Sequence, residues 1–183
     1  IRQCARRVDV ELWMEGKTVF ARSRDARTRD AESSDDSTLT LAYGADLLAF
    51  SVRADVAQQC TSLQLTGWDV ANKSSIQETA DDSVIQAELG NGHLSGSHVL
   101  KEAFGERVAS VVHHVPLTGD EARIQARSEY RRRARRFITG RGLTDGNPSI
   151  FVGRTLELTR LGVLFDGDYY VSRVRHTVDR SNG

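Results

Sequence analysis

The densest cluster of reactive side chains runs from Arg127 to Arg136, where six arginines fall within a short stretch that also holds Glu129, Tyr130 and Ala134. A run of this kind suits phosphate tracking along a nucleic acid. It suits equally a solvated or inter-subunit helix face whose guanidiniums pair with carboxylates. No aromatic side chains interleave with the arginines for base stacking, because Tyr130 and Phe137 lie on the opposite helical face. The paired-face reading is therefore preferred, with Arg132, Arg133 and Arg136 as the interface candidates. A nucleic-acid or anion-binding module using Arg127–Arg136 is the alternative.

The other reactive residues point to no reaction. His113 and His114 invite a metal, but neighbours in a strand project to opposite faces and cannot chelate one ion. His93 and His98 have no carboxylate or cysteine at a known ligand spacing. His176 shares an alternating face with Tyr170 and Val174, which predicts a hydrogen-bonded core histidine. Gly90-Asn91-Gly92 and Gly140-Arg141-Gly142 resemble fragments of phosphate loops without the lysine or the strand–turn–helix setting. No serine or cysteine stands beside a histidine in a nucleophile arrangement. Cys4 and Cys60 are too few for a disulfide framework or a cysteine metal site, and each is expected to be a buried thiol. No catalytic, cofactor-binding or metal-binding residue is expected, and the protein is expected not to be an enzyme.

The elements that must position these residues are mostly strands. Phe50 to Val56 alternates, and after Gln58-Gln59 so does Thr61 to Trp68. Near the C-terminus Asp145-Gly146-Asn147-Pro148 is a turn: the Asp and Asn side chains cap backbone groups, Gly accepts positive φ and Pro forbids a helix. Leu156 and Leu158 then face one way and Thr155, Glu157 and Thr159 the other. Asp166-Gly167 signals a hairpin, and Tyr169 to Val178 reads as the returning strand. A lone two-stranded ribbon is marginal in water, so Phe50–Trp68 and Arg154–Val178 are expected to close on each other as one small β-barrel or sandwich.

Elsewhere, Ile1 to Arg7 reads as the end of a helix, and Val8–Trp13 with Thr18–Ala21 as a hairpin around Gly16. Ser23 to Thr38 has few apolar residues and reads as a solvated loop. Asp69 to Asp82 reads as a long connection, Ser83–Leu89 as one or two helical turns and Val99–Phe104 as a short helix. Ala109, Val111, His113 and Val115 alternate as a strand. Gly119 to Ile138 is the strongest helix: Thr118 and Glu121 form a capping box, and Ala122, Ala126, Tyr130, Ala134 and Phe137 make a face of mostly small residues. The fold class is α+β and β-rich, with a barrel built from sequence-distant ribbons, a helical and irregular excursion and one long helix. The expected division is 1–49, a helix-plus-hairpin subdomain with a charged loop, and 50–183, the barrel with its inserted connection and the helix near 119–138.

Twenty-five basic and 25 acidic residues cancel, which argues against a dedicated nucleic-acid binder. The basic side is almost all Arg; only Lys17, Lys73 and Lys101 are lysine. No run approaches the roughly eighteen apolar residues of a membrane span, so no stable membrane insertion is expected. The sequence opens at Ile1 inside what reads as a helix and is expected to be part of a longer chain.

Several short motifs, taken in order, resemble one family. Val10-Glu11-Leu12-Trp13 precedes Leu39-Thr40-Leu41-Ala42-Tyr43-Gly44 and Leu47-Leu48-Ala49-Phe50-Ser51. Leu65-Thr66-Gly67-Trp68-Asp69 is similar to that family's strand ending in Gly-Trp-Asp. Asp145-Gly146-Asn147-Pro148, Gly153, Gly167-Asp168-Tyr169-Tyr170-Val171 and Val174-Arg175-His176 follow. The resemblance is to the hub or spike-base proteins of contractile injection systems: the late control D proteins of phage tails and the VgrG proteins of type VI secretion. It implies a structural role, with Gly67, Trp68, Asp69, Asp145, Gly146, Asn147, Pro148, Gly153, Gly167, Tyr169, Tyr170 and His176 as framework residues. It also implies a homotrimer between a tail-tube protein and a spike or needle. Such a protein would be assembled in the bacterial cytoplasm and carried in a phage tail or secreted injection particle. No cofactor and no nucleic acid are implied.

Overall fold

In chain order the elements are α1 (Arg2–Arg7), β1 (Val10–Glu15), β2 (Thr18–Ser23), α2 (Arg24–Glu32), β3 (Leu39–Ala42), β4 (Leu47–Ala54), β5 (Ser62–Asp69) and β6 (Ser74–Asp81). Two 3-10 turns follow, Asp82–Val84 and Gln86–Glu88. Then come α3 (Gly96–Phe104), β7 (Val108–Val111), α4 (Gly119–Ala134), β8 (Ile138–Thr144), β9 (Thr155–Thr159) and β10 (Gly167–Tyr170). This is a computed structural model that describes residues 1–32, 39–90, 93–112, 116 and 118–178. His113, His114 and the Asn91-Gly92 step lie outside the described residues.

The class is α+β and strand-rich, but among the described residues the strands form four open sheets and none closes into a barrel. The chain divides into two compact units, each discontinuous: 1–22 with 53–139, and 23–52 with 140–183. Compactness thus draws different boundaries from the linear division at residues 49 and 50.

In the first unit β5 is the central strand, antiparallel to β6 and parallel to β7. Its inward residues Leu63 and Leu65 are fully buried, joined by Ile76 and Ala80 of β6, Val111 of β7 and Ile85. The other half of this core is α4, which contributes Ala122, Ala126 and Tyr130. The small alanines let the helix backbone approach the sheet closely. Thr118 Oγ1 caps the helix by accepting from Glu121 N at 3.2 Å. The β1–β2 hairpin turns at Gly16, whose φ of +58° suits glycine, and Trp13 stacks on Phe20 with ring centroids 5.3 Å apart.

The stretch Asp69–Asp82, expected as a connection, holds β6. Its sequence, Ser-Ser-Ile-Gln-Glu-Thr-Ala-Asp, offers only Ile76 and Ala80 to the core, as a two-sided polar edge strand can. The turn into it is built by Asp69, whose carboxylate accepts from Asn72 N at 2.9 Å and Asn72 Nδ2 at 2.8 Å. These bonds hold the Asp69 carboxyl below its ordinary range.

In the second unit β9 is central, antiparallel to β10 and parallel to β3. Leu41, Leu47, Ile150, Leu156 and Leu158 form its core, with Phe50, Tyr169, Val171 and Val174 packed around them. β4 pairs with β8, and both strands run across a unit boundary. Within the second unit, a Cβ on Gly142 would lie 2.8 Å from Leu47 Cδ1, and one on Gly140 would fall on the Phe50 ring. The Gly-Arg-Gly stretch is therefore a packing device in a strand and not part of a phosphate loop.

The expected barrel is corrected here. β5 belongs to the first core and β9 and β10 to the second; of the first ribbon only its start reaches the second core, where Phe50 meets the Tyr169 ring edge-on with centroids 5.6 Å apart, and no barrel closes. Alternation identifies a strand's buried face but says nothing of which neighbour it hydrogen-bonds. The returning strand is also shorter than Tyr169–Val178: β10 ends at Tyr170. Val171 still exchanges backbone bonds with Gly153 and Arg154, at 3.0 and 2.9 Å, and from there to Val178 the chain forms no ladder.

From Arg24 to Glu32 the segment after Ser23 is a helix, not a loop, and residues 33–38 lie outside the described residues. Ser23 Oγ accepts from Ala26 N at 3.3 Å, Arg27 Nη2 donates to Val152 O at 3.0 Å, and the Arg24 guanidinium lies 4.1 Å from the Tyr170 ring centroid. Arginine contacts anchor this helix where an apolar stripe is missing.

Candidate functional site

α4 and the turn that ends it carry arginines on two sides, and each side does a different job. Arg131 and Arg135 turn toward Asp9 and Glu88. Arg135 donates from Nε and Nη2 to the two oxygens of Glu88, both at 2.7 Å, and from Nη2 to Asp9 Oδ2 at 2.9 Å. Arg131 Nε donates to Val84 O at 3.1 Å and its Nη1 reaches Asp9 Oδ2 at 3.4 Å. Burial works against the Arg135 charge, but the bonds and charges of Glu88 and Asp9 outweigh it and hold the guanidinium firmly protonated. Asp9 sits at φ +56°, a left-handed position that aspartate tolerates better than most residues. This cluster is structural.

The three interface candidates lie on the other side, Arg132 and Arg133 on the helix and Arg136 in the turn after it. Arg132, Arg133 and Arg136 line a cleft of about 370 Å³ together with Ala57, Gln58 and Glu129. Glu129 is the organiser: one oxygen accepts from Arg132 Nε and Nη2, and the other accepts from Arg133 Nε at 3.1 Å. Its side chain is only 12% exposed. Burial would raise its carboxyl, yet the two arginines overcome that and leave it below the ordinary range. Arg136 Nη1 donates to Gln58 Oε1 at 3.1 Å. Beneath, Gln59 Nε2 holds the Arg133 carbonyl at 2.8 Å, and burial pushes up the thiol of Cys60, against the pull of Arg133. Three guanidiniums against one carboxylate leave the lining with an excess of two positive charges.

The spacing of Glu129 to Arg132 and Arg133 is readable as i,i+3 and i,i+4 pairing. Gln58 was not legible, because only the tertiary fold brings the break after β4 to the helix end.

The acid limb of stability follows from these carboxylates. Glu129, and Asp81 with its bonds from Ser83, titrate below their ordinary values of 4.5 and 3.8. A depressed carboxyl stabilises fully above its unfolded value, and that contribution disappears as pH falls through the folded one. Urea midpoints should therefore hold level from pH 7 to about 5 and drop below about 4, and Glu129→Gln should flatten the drop.

The framework residues separate into three places. Gly67, Trp68 and Asp69 end β5, and Trp68 is half exposed. A Cβ on Gly67 would lie 2.6 Å from Pro116 Cγ and 2.9 Å from its carbonyl oxygen, so Gly67→Ala should cost about 1–3 kcal/mol in urea denaturation. In the second unit, Asn147 Oδ1 accepts from Ser149 N at 2.9 Å to close the turn of Asp145, Gly146, Asn147 and Pro148. Gly153, at φ +105°, leaves room for Arg27, whose Nε would lie 2.5 Å from a Cβ there. Gly167 and Tyr170 bound β10, and Tyr169 OH donates to Phe165 O at 2.9 Å. His176 is exposed and not a core residue; its Nε2 donates to Ile150 O at 3.0 Å, which pins the segment after β10 to the turn. Cys4 is likewise exposed, while Cys60 is buried, and both are free thiols.

Among the described residues no group of three or more His, Cys, Asp or Glu is placed to hold a metal, and no helix is long and apolar enough to cross a membrane.

This fold is similar to that of two phage tail proteins. The chain superposes on the 43 kDa tail protein of prophage MuSo2 from Shewanella oneidensis with a TM-score of 0.60 and 13% identity, over 91% of this chain and 45% of that one. It superposes on the tail protein from Neisseria meningitidis MC58 with a TM-score of 0.57 and 13% identity, again over 91% and 45%. It thus spans less than half the length of either. By sequence, residues 10–180 match the model of the Alg8 N-terminal domain, and the chain belongs to that family. No curated protein matches it.

Proposed function

We propose that this chain is a non-enzymatic structural component of a phage-tail-type assembly, and more narrowly part of the hub that joins a tail tube to a spike. The observation that carries the coarse reading is the tail-protein fold extending over 91% of the chain. The narrower reading adds the ordered motifs that resemble the late control D and VgrG proteins, from Gly67-Trp68-Asp69 to Val174-Arg175-His176. On this reading the protein works as a homotrimer beside tail-tube and spike proteins, is assembled in the bacterial cytoplasm and leaves it within a particle. Sedimentation over a wide concentration range tests it. A species of three times 20.3 kDa that grows with concentration, and co-purification with tube protein, are expected. A monomer at every concentration that also ignores tube protein would defeat the hub assignment.

A further inference from the structure

We propose that the cleft of Arg132, Arg133, Arg136 and Gln58 is a carboxylate-binding site that takes acidic side chains from a protein segment. Three guanidiniums bring about fifteen N–H donors, far more than Glu129 and the Gln58 amide oxygen can accept. Glu129 already holds Arg132 and Arg133 in fixed positions, so less side-chain freedom is lost when a ligand arrives. Guanidinium forks match the planar carboxylate two bonds at a time. The cleft is of a size for one or two side chains, not for a polymer backbone.

A nucleic acid fits the same place less well. The lining carries a carboxylate and no aromatic ring, and base stacking is what single strands need beyond charge. The chain as a whole has no net charge to attract a polyanion. The assembly reading supplies the reason for a protein partner here; the carboxylate chemistry rests on the cleft alone.

The test uses a fluorescein-labelled hexaglutamate peptide, a thymidine oligonucleotide of equal charge and inorganic phosphate as competitor, followed by anisotropy at low salt. Gln58→Glu places a rival carboxylate beside Arg136 without removing a helix residue, and should weaken peptide binding at least about tenfold. Arg132→Lys with Arg136→Lys keeps the charge but loses the forks, and should weaken it as well. Arg123→Ala, on the same helix outside the cleft, should leave it unchanged. Binding of the oligonucleotide as tight as the peptide's, displacement of the peptide by low phosphate, or an unaltered Gln58→Glu variant would each overturn the proposal. Trimer formation is measured separately by sedimentation, so a failed hub reading and a failed carboxylate site are told apart.

Discussion

Replacing Tyr130 by alanine is expected to remove about 3–5 kcal/mol of stability, while replacing it by phenylalanine should change stability by less than about 0.5 kcal/mol. The ring is 1% exposed and fills the space between α4 and the β6-β5-β7 sheet, against a core that includes Leu63, Leu65 and Ile85. Truncation empties that space, and a three-stranded sheet with a helix on one face has little freedom to collapse into it. The hydroxyl tells a different story. It is buried without a hydrogen-bond partner, Ser97 facing it outside good geometry, and burial drives its ionisation well above the ordinary range. An unpaired buried hydroxyl costs stability, so its loss offsets the small loss of packing. Urea denaturation of the two variants reads the contrast directly; a costly Tyr130→Phe would mean that Ser97 bonds the hydroxyl in solution.

Arg135→Ala is expected to cost about 3 kcal/mol, toward the low end for a broken buried ion pair because its partners keep some solvent contact. The side chains of Arg135, Glu88 and Asp9 are 14%, 15% and 16% exposed. Without the guanidinium, two carboxylates are left close together, with Arg131 reaching Asp9 at 3.4 Å and Glu88 at 3.7 Å. Arg135→Lys should recover no more than about half of the loss, since a point charge cannot serve both carboxylates bidentately. The damage should spread to α1, which has no buried residue of its own and is held partly by Ser128 Oγ donating to Arg6 O at 2.6 Å. Hydrogen exchange at Arg2–Arg7 should accelerate in the variant, and protection there at the wild-type level would contradict this account.

Strands with one apolar face were legible from alternation alone. Leu63 and Leu65, and Leu156 and Leu158, are buried as their period of two predicts. The long helix was legible because its cap, its small face and its terminal arginines all agreed. What alternation could not reach was pairing. β3 lies parallel to β9 with Leu41 opposite Leu158 and Thr40 Oγ1 donating to Glu157 Oε2 at 2.7 Å, a contact more than a hundred residues apart in sequence. Elements that bury little were missed for a related reason. In α2 the residues that matter are Arg24 and Arg27, and composition reads both as solvent-facing. In β6 only two residues face inward, so its period drowned among polar neighbours. The cleft is half legible: its arginines stand out, but Gln58 reads as a break between strands.

Because the polypeptide passes between the two units after Arg22, Val52 and Thr139, neither can be excised by a single cut. A segment spanning the second unit must carry the whole β6-β5-β7 sheet of the first with it. Gene rearrangement would meet the same obstacle, so the pair is expected to be inherited whole, and insertions to be tolerated at turns such as Val70–Lys73 in preference to the crossings.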